Sequence, residues 1–275
     1  MTSLLEILTK GTSYLEKRGV DSPRLNMELM AAHVLEMQRM QLYLEFDRPL
    51  AEEQLVPLRD MLRRRGEREP LQHILGETNF YGRDFICDAR ALIPRPETEE
   101  LVAHVLKLDL PEAPRILDLC CGSGVIGLTL QAELPQAAIT LADLSEDALA
   151  LTRENAQALG LSVDVVLSDS LAALTDTYDL IVCNPPYVAA GFPIEAEVQH
   201  DPAMALFSGE DGLDFIRALI PAALRVMNPQ AWIALEVGYD QGAQVTTLMT
   251  SAGYTAVTLA ADLEGVQRFP MGQKA

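Results

Sequence analysis

The sequence predicts an α/β fold: a sheet with helices on both faces, preceded by a small N-terminal helical bundle and a linking β-hairpin. Three observations carry this expectation. Up to about residue 75 apolar residues recur at three- and four-residue spacing; from about residue 115 short apolar runs alternate with helical ones; and the first of those runs ends in a glycine-rich turn that opens a helix. The expected organisation is a helical domain over 1–75, a hairpin linker over 76–95 and the sheet domain over 96–275. A chain of 275 residues with 49% hydrophobic content can fill both cores.

In the first part, "SLLEILTKGTSYLEKRG", "SPRLNMELMAAHVLEM" and "AEEQLVPLRDMLRRRGE" read as helices, with Ser22 as the cap and Pro23 in the first turn of the second. The third helix ends in the chain's one basic cluster, Arg59, Arg63, Arg64, Arg65 and Arg68. Cations at the end of a helix complement its dipole, so the cluster reads as a solvated helix end in preference to a partner-binding patch. "NFYGRDFICDARALIP" then places Gly82 between two short runs rich in aromatic and branched residues, the pattern of a hairpin.

Strands are expected at 115–120, 138–144, 163–169, 178–183, 231–237 and 254–260. Helices between them include "VIGLTLQAEL", "SEDALALTRENAQALG" with Ser145 as its cap, and "GLDFIRALIPAALRVM". Repeated strand-helix units of this kind give a parallel sheet covered on both faces.

Composition narrows the function classes. A formal net charge of -19 repels a phosphate backbone, so no direct nucleic-acid partner is expected. No apolar run is long enough for a membrane span and the amino terminus lacks a signal-peptide pattern, which points to a cytoplasmic protein with no membrane partner. Cys87, Cys120, Cys121 and Cys183 sit in apolar contexts without metal or redox spacing and read as buried thiols. No metal is expected.

Ligands of such sheets bind at the carboxyl ends of the strands. The strand at 115–120 runs into "LDLCCGSGVIG", where Gly122 and Gly124 supply a turn that lets backbone approach a ligand. Asp143 ends the next strand and can accept hydrogen bonds from both hydroxyls of a ribose. The loop and this acid together fit NAD and S-adenosylmethionine equally. Asp118 favours the second, because its carboxylate beside the loop would help hold an ammonium group directly or through water.

These residues resemble the class I S-adenosylmethionine-dependent methyltransferases, from about residue 115 to the end of the chain. The resemblance implies a Rossmann-like sheet with S-adenosyl-L-methionine as cofactor. It also implies that the 178–183 strand lies beside the first, so that "NPPY" emerges next to the transferable methyl group. Many members carry Gly where Cys120 stands, so here the loop must turn with a thiol side chain in place.

"NPPY" then acquires a chemical reading. The residue before a proline is pushed out of the helical region and proline fixes its own φ, which locks the corner. A planar amino group has a delocalised lone pair and must be held with that lone pair along the line of attack. The side-chain oxygen of Asn184 and the backbone carbonyl of Pro185 can each take one of its N–H bonds, and they stabilise the charge that grows on nitrogen. Pro186 stiffens the corner, and Tyr187 would stack on the flat acceptor.

Together with "NPPYV", the segments "ALIPRPETEELV", "HDPAMALFSGEDGLDFIR", "EVGYDQG" and the helical start are similar to the peptide-chain release factor glutamine methyltransferases, the HemK/PrmC family, over nearly the full length. This resemblance implies transfer of a methyl group to the side-chain amide nitrogen (N5) of the glutamine in the release factors' Gly-Gly-Gln motif, with the helical domain gripping the protein substrate.

Carried over residue by residue, the cofactor falls against Cys120, Cys121, Gly122, Ser123, Gly124, Asp143, Asp169, Ser170 and Asn184. The substrate glutamine falls against Asn184, Pro185, Pro186 and Tyr187, while Arg95, Pro96 and Thr98 line its approach. The sequence departs from the family pattern at Val266 and Gln267. Alternative readings are N5-glutamine methylation of a ribosomal protein, N6-adenine methylation of nucleic acid and, last, a non-catalytic S-adenosylmethionine-binding adaptor.

Overall fold

The computed structural model describes residues 2–275. The chain forms two compact units, one of residues up to Glu77 together with Glu195–His200, the other of Thr78–Ile194 and Asp201–Ala275.

The first unit contains α1 (Leu4–Lys17), α2 (Pro23–Val34), α3 (Glu52–Gly66) and the short α4 (Leu71–Leu75), with a 3₁₀ turn over Arg39–Leu44. Their apolar faces converge on Leu4, Leu8, Leu15, Met27, Met30 and Leu42, all fully buried. Ser3 caps α1 by accepting from the Glu6 amide. Pro23 occupies the first turn of α2 as expected, but the Ser22 side chain does not cap it. Ser22 is held at φ 47°, and its carbonyl instead accepts from the backbone and side-chain nitrogens of Asn26.

The arginine cluster is more structural than a solvated helix end. Arg59 and Arg63 fit that description, pairing at the surface with Glu52, Asp60 and Glu67. Arg65 does not, being only 5% exposed. It donates to Asn26 Oδ1 (2.7 Å), the Glu69 carbonyl (3.1 Å) and Glu197 Oε1 (3.0 Å), while Arg68 takes Glu197 Oε2 (2.7 Å). The missed signal is Glu197 itself, which meets α3 from far along the chain.

The second unit opens with a hairpin, β1 (Glu77–Phe80) and β2 (Arg83–Ile86), whose two-residue loop Tyr81-Gly82 has positive φ at both positions, as a type I′ turn requires. There follow α5 (Pro96–Val105), β3 (Arg115–Leu119), α6 (Val125–Glu133), β4 (Ala138–Asp143), α7 (Glu146–Leu159), β5 (Asp164–Leu167), β6 (Tyr178–Cys183), α8 (Asp214–Ala223), β7 (Met227–Leu235), α9 (Gly242–Ala252), β8 (Tyr254–Ala261) and β9 (Gln267–Lys274). Ser145 caps α7 through the Ala148 amide, as its sequence suggested.

The strands form one sheet in the order β5-β4-β3-β6-β7-β9-β8. It is parallel from β5 to β7, and β6 lies beside β3 with Leu119 opposite Cys183. One edge departs from the expected parallel sheet: β9, absent from the predicted strands, runs antiparallel between β7 and β8. Pro270 and Gly272 interrupt its apolar alternation, and both are poor strand formers taken singly.

Residues of α5, α6 and α7 such as Leu101, Val105, Leu128 and Leu149 pack on one face of the sheet, and Ile216, Leu219, Val245 and Met249 of α8 and α9 pack on the other. Fully burying each such side chain contributes about 1.5–3 kcal/mol. No helix among the described residues is long and apolar enough to cross a membrane.

Candidate active site

The carboxyl ends of β3, β4 and β6 open onto a cavity of about 200 Å³. Its floor is the turn after β3, where Cys120, Gly122 and Gly124 all take positive φ (58°, 55° and 82°). Gly124 is required there twice over, by its positive φ and because a Cβ would press on Thr152, Leu128 and Leu141.

The turn is tied down from several sides. Asp143, ending β4, accepts from the Gly122 amide at Oδ2 and from the Ser145 amide at Oδ1, both 2.9 Å. Thr152 of α7 donates to the Gly122 carbonyl (2.8 Å), and Asn155 to the Ser123 carbonyl (3.0 Å). After β5, Ser168 donates to the Ser170 carbonyl (2.7 Å) and so fixes the Asp169-Ser170 corner, with Ser170 at φ 50°.

Cys120, Cys121, Gly122, Ser123, Asp143, Asp169, Ser170, Asn184 and Pro186 reach the cavity wall. Gly124, Pro185 and Tyr187 adjoin these residues in the chain without being part of the wall; Pro185 is buried and the Tyr187 hydroxyl turns toward Glu236 Oε1 (3.4 Å). Arg95 and Thr98 are on the wall as well, whereas Pro96 is not. The thiols expected to be buried include one exception, Cys120, which is half-exposed at the turn. Burial pushes the Cys121 and Cys183 thiols well above their ordinary range, so neither supplies a thiolate.

Asp118 does not border the cavity as expected. It is fully buried, its Oδ2 accepts from the Gly127 amide (2.7 Å) and its Oδ1 has no partner. Burial, and then the charge of Asp143, push its carboxyl up to about 8 against that hydrogen bond. A carboxyl held this way is mostly protonated near neutral pH, so it offers no charge to a ligand in the cavity.

At the corner after β6, Asn184 donates through Nδ2 to Thr98 Oγ1 (3.3 Å), while its Oδ1 is shielded from water and accepts no hydrogen bond. Thr98 in turn donates to Glu236 Oε2 (2.7 Å). The corner is braced from behind by Gln241, whose Nε2 donates to the Tyr187 carbonyl (2.9 Å) and whose Oε1 accepts from the Gly238 amide (2.8 Å). Gly212 lies so close to the Tyr187 carbonyl that any side chain there would collide with it.

Sequence reasoning missed Glu236 and Gln241 as parts of the site. A lone acid directly after the apolar run 231–235, at the end of the sheet where the glycine turn lies, was the available signal.

Residues 6–76 match the PrmC N-terminal domain and residues 97–201 the methyltransferase small domain. The release factor glutamine methyltransferase of Deinococcus radiodurans is 39% identical over 275 residues, covering 99% of each chain. The enzyme of that name from Geobacter sulfurreducens is 36% identical, covering 98% of this chain and 96% of its own. The chain belongs to the release factor glutamine methyltransferase family.

It is therefore an S-adenosylmethionine-dependent methyltransferase, with the fold read from its sequence. A crystal structure of a methyltransferase from Pyrococcus furiosus shares that fold with a TM-score of 0.55, at 18% identity over 71% of this chain and 90% of that one. The residues present fit the family's cofactor: a backbone cradle at Cys120–Gly124 and a carboxylate at Asp143 with lone pairs left for hydroxyls, both on the cavity wall.

Proposed function

We propose that the protein methylates the side-chain amide nitrogen (N5) of the glutamine in the Gly-Gly-Gln motif of peptide-chain release factors. The observation that carries this reading is Asn184, a residue of the cavity wall whose Oδ1 accepts no hydrogen bond, set where β6 ends beside the glycine turn.

Bound S-adenosylmethionine supplies an electrophilic methyl group on a sulfonium. The chain's own residues have to present a weak nucleophile to it. An amide nitrogen shares its lone pair with the carbonyl, and it becomes reactive only when its N–H bonds are held so that the lone pair faces the methyl carbon. Asn184 Oδ1 takes one N–H and the Pro185 carbonyl the other. Both oxygens gain strength as positive charge develops on nitrogen, so they favour the transition state over the bound substrate. The N-protonated amide formed is a strong acid and loses its surplus proton to solvent water, so no basic side chain is required.

Asp143 and the turn Cys120–Gly124 would hold the nucleoside part of the cofactor, and Asp169 and Ser170, also on the cavity wall, would help to enclose it. Pro186 and Tyr187 keep the corner rigid and exclude water. The strongly acidic chain disfavours a nucleic-acid substrate, and a translation factor as substrate puts the site of action in the cytoplasm.

The test is incubation of the full chain with labelled S-adenosylmethionine and, separately, release factors, ribosomal protein and DNA, with mass spectrometry of the modified residue. Label on the Gly-Gly-Gln glutamine is expected. Label on adenine, or on a ribosomal-protein glutamine alone, overturns the reading.

A further inference from the structure

We infer that Glu236, acting through Thr98, fixes which end of the Asn184 side chain faces the cavity, and is thus a positioning residue for methyl transfer. The inference rests on the proposed function, in which the Asn184 carbonyl receives the substrate N–H.

Glu236 follows β7 directly and is 1% exposed. Leu235 pairs with Cys183, and the Glu236 amide donates to the Cys183 carbonyl (3.0 Å), which sets the acid beside Asn184 across the sheet. Thr98, itself buried, projects from the first turn of α5 and lies between the two side chains. A hydroxyl has one proton. When that proton is given to Glu236 Oε2, Thr98 Oγ1 offers only lone pairs to its other neighbour and must accept, so Asn184 turns its NH₂ group toward Thr98. The carbonyl oxygen of this cavity-lining residue is thereby kept unpaired and free to accept a substrate N–H, the orientation the reaction needs.

An ionised Glu236, which can only accept, enforces this sense along the whole chain of three residues. A protonated Glu236 can donate to Thr98, which frees the Thr98 proton for the amide oxygen. Asn184 can then turn over and aim its NH₂ at the substrate NH₂, donor against donor.

The groups facing Glu236 keep it near this tipping point. Burial raises its carboxyl to about 7, opposed by the Thr98 hydrogen bond and by the positive charge of Arg268 on β9, and assisted by the negative charge of Glu97 on α5. The Tyr187 hydroxyl is a weak donor on the other oxygen. Arg268 is itself engaged by Asp262 (2.7 Å), so its pull is partial. Activity should fall as pH drops through about 7, because the protonated acid no longer dictates the orientation.

The experiment compares wild type, T98V, T98S and E236Q as full chains, measuring kcat and KM for a release factor across neutral pH, with cofactor affinity by calorimetry and thermal melting as checks on folding. Wild type should lose turnover on the acid side with a midpoint near 7. E236Q should lose that acid limb. T98V should lower kcat roughly 10- to 100-fold, the scale of a slightly misplaced reacting group, with cofactor affinity unchanged. T98S, which restores the hydroxyl, should recover most of that loss.

A wild-type profile flat through neutrality, an acid limb surviving in E236Q, or wild-type turnover in T98V each overturns the inference. Should T98V fail to fold, the E236Q profile and T98S still decide. N184A separates this inference from the proposed function: full activity there removes both, whereas an inactive N184A beside wild-type-like T98V and E236Q removes the positioning role alone.

Discussion

Both units bury ionisable groups, but they treat them in opposite ways. In the helical unit Glu28 is 1% exposed and saturated, taking Arg24 (2.5 Å), Arg39 (2.9 Å) and Tyr43 (2.9 Å). Burial raises its carboxyl, and these three partners more than reverse that, so it stays below the ordinary carboxylate range. In the sheet unit Asp118 and Glu236 are as deeply buried, yet both carboxyls are pushed up, and Asp118 Oδ1 and Asn184 Oδ1 accept nothing. A saturated buried charge holds a fold together. An unsaturated polar atom is destabilising in isolation, so its persistence on the cavity-lining Asn184 marks a place where a ligand completes the set.

The contrast can be broken most forcefully at the orphaned acceptor. N184A should reduce turnover roughly 10²- to 10³-fold, as loss of a transition-state hydrogen-bonding group does, while melting temperature and cofactor affinity stay close to wild type. An equally large loss of stability would make Asn184 another saturated group. R65A should do the reverse, lowering the unfolding free energy by about 3 kcal/mol in a denaturant titration, toward the low end for a broken buried pair because Arg68 still neutralises Glu197. An R65A protein as stable as wild type would show that burial without orphaned atoms carries no energetic signature here.

D143A should weaken cofactor binding by on the order of 1.5–3 kcal/mol by calorimetry, since it removes both a charged acceptor and two of the hydrogen bonds shaping the turn.

The smallest effect is also the sharpest in sign. Asp118 and Glu236 have folded-state values above their unfolded ones, so between the ordinary carboxylate range and about 8 and 7 respectively the folded protein binds more protons. Their contribution to stability therefore declines as pH rises through that window. Glu28, displaced downward, contributes stability that is lost as pH falls through its folded-state value. Melting curves of the cofactor-free chain should show D118N flattening the decline toward neutral and mildly alkaline pH, and E28Q reducing the loss in acid. A D118N curve parallel to wild type above pH 6 would contradict the raised carboxyl.

The sequence made legible whatever is decided by neighbouring residues. The Cys120–Gly124 turn announces itself because glycines at fixed offsets end an apolar run, and the corner at 184–187 because two prolines leave the backbone few options. β9 escaped because Pro270 and Gly272 disguise a strand that is supported on both sides by β7 and β8. Arg65 was misjudged because its acid partner lies 132 positions away, and the link between Thr98 and Glu236 spans 138. No local pattern encodes such pairs; only the register of β6 and β7 and the placement of α5 bring the second pair together.

Cys120 carries a practical consequence. It is the one cysteine of the four that is not buried, and it stands on the wall of the ligand cavity. A small alkylating dye should therefore label the native chain there first, turning the molecule into its own optical gauge of pocket occupancy: bound ligand would shield the sulfur, and the labelling rate would count the vacancies.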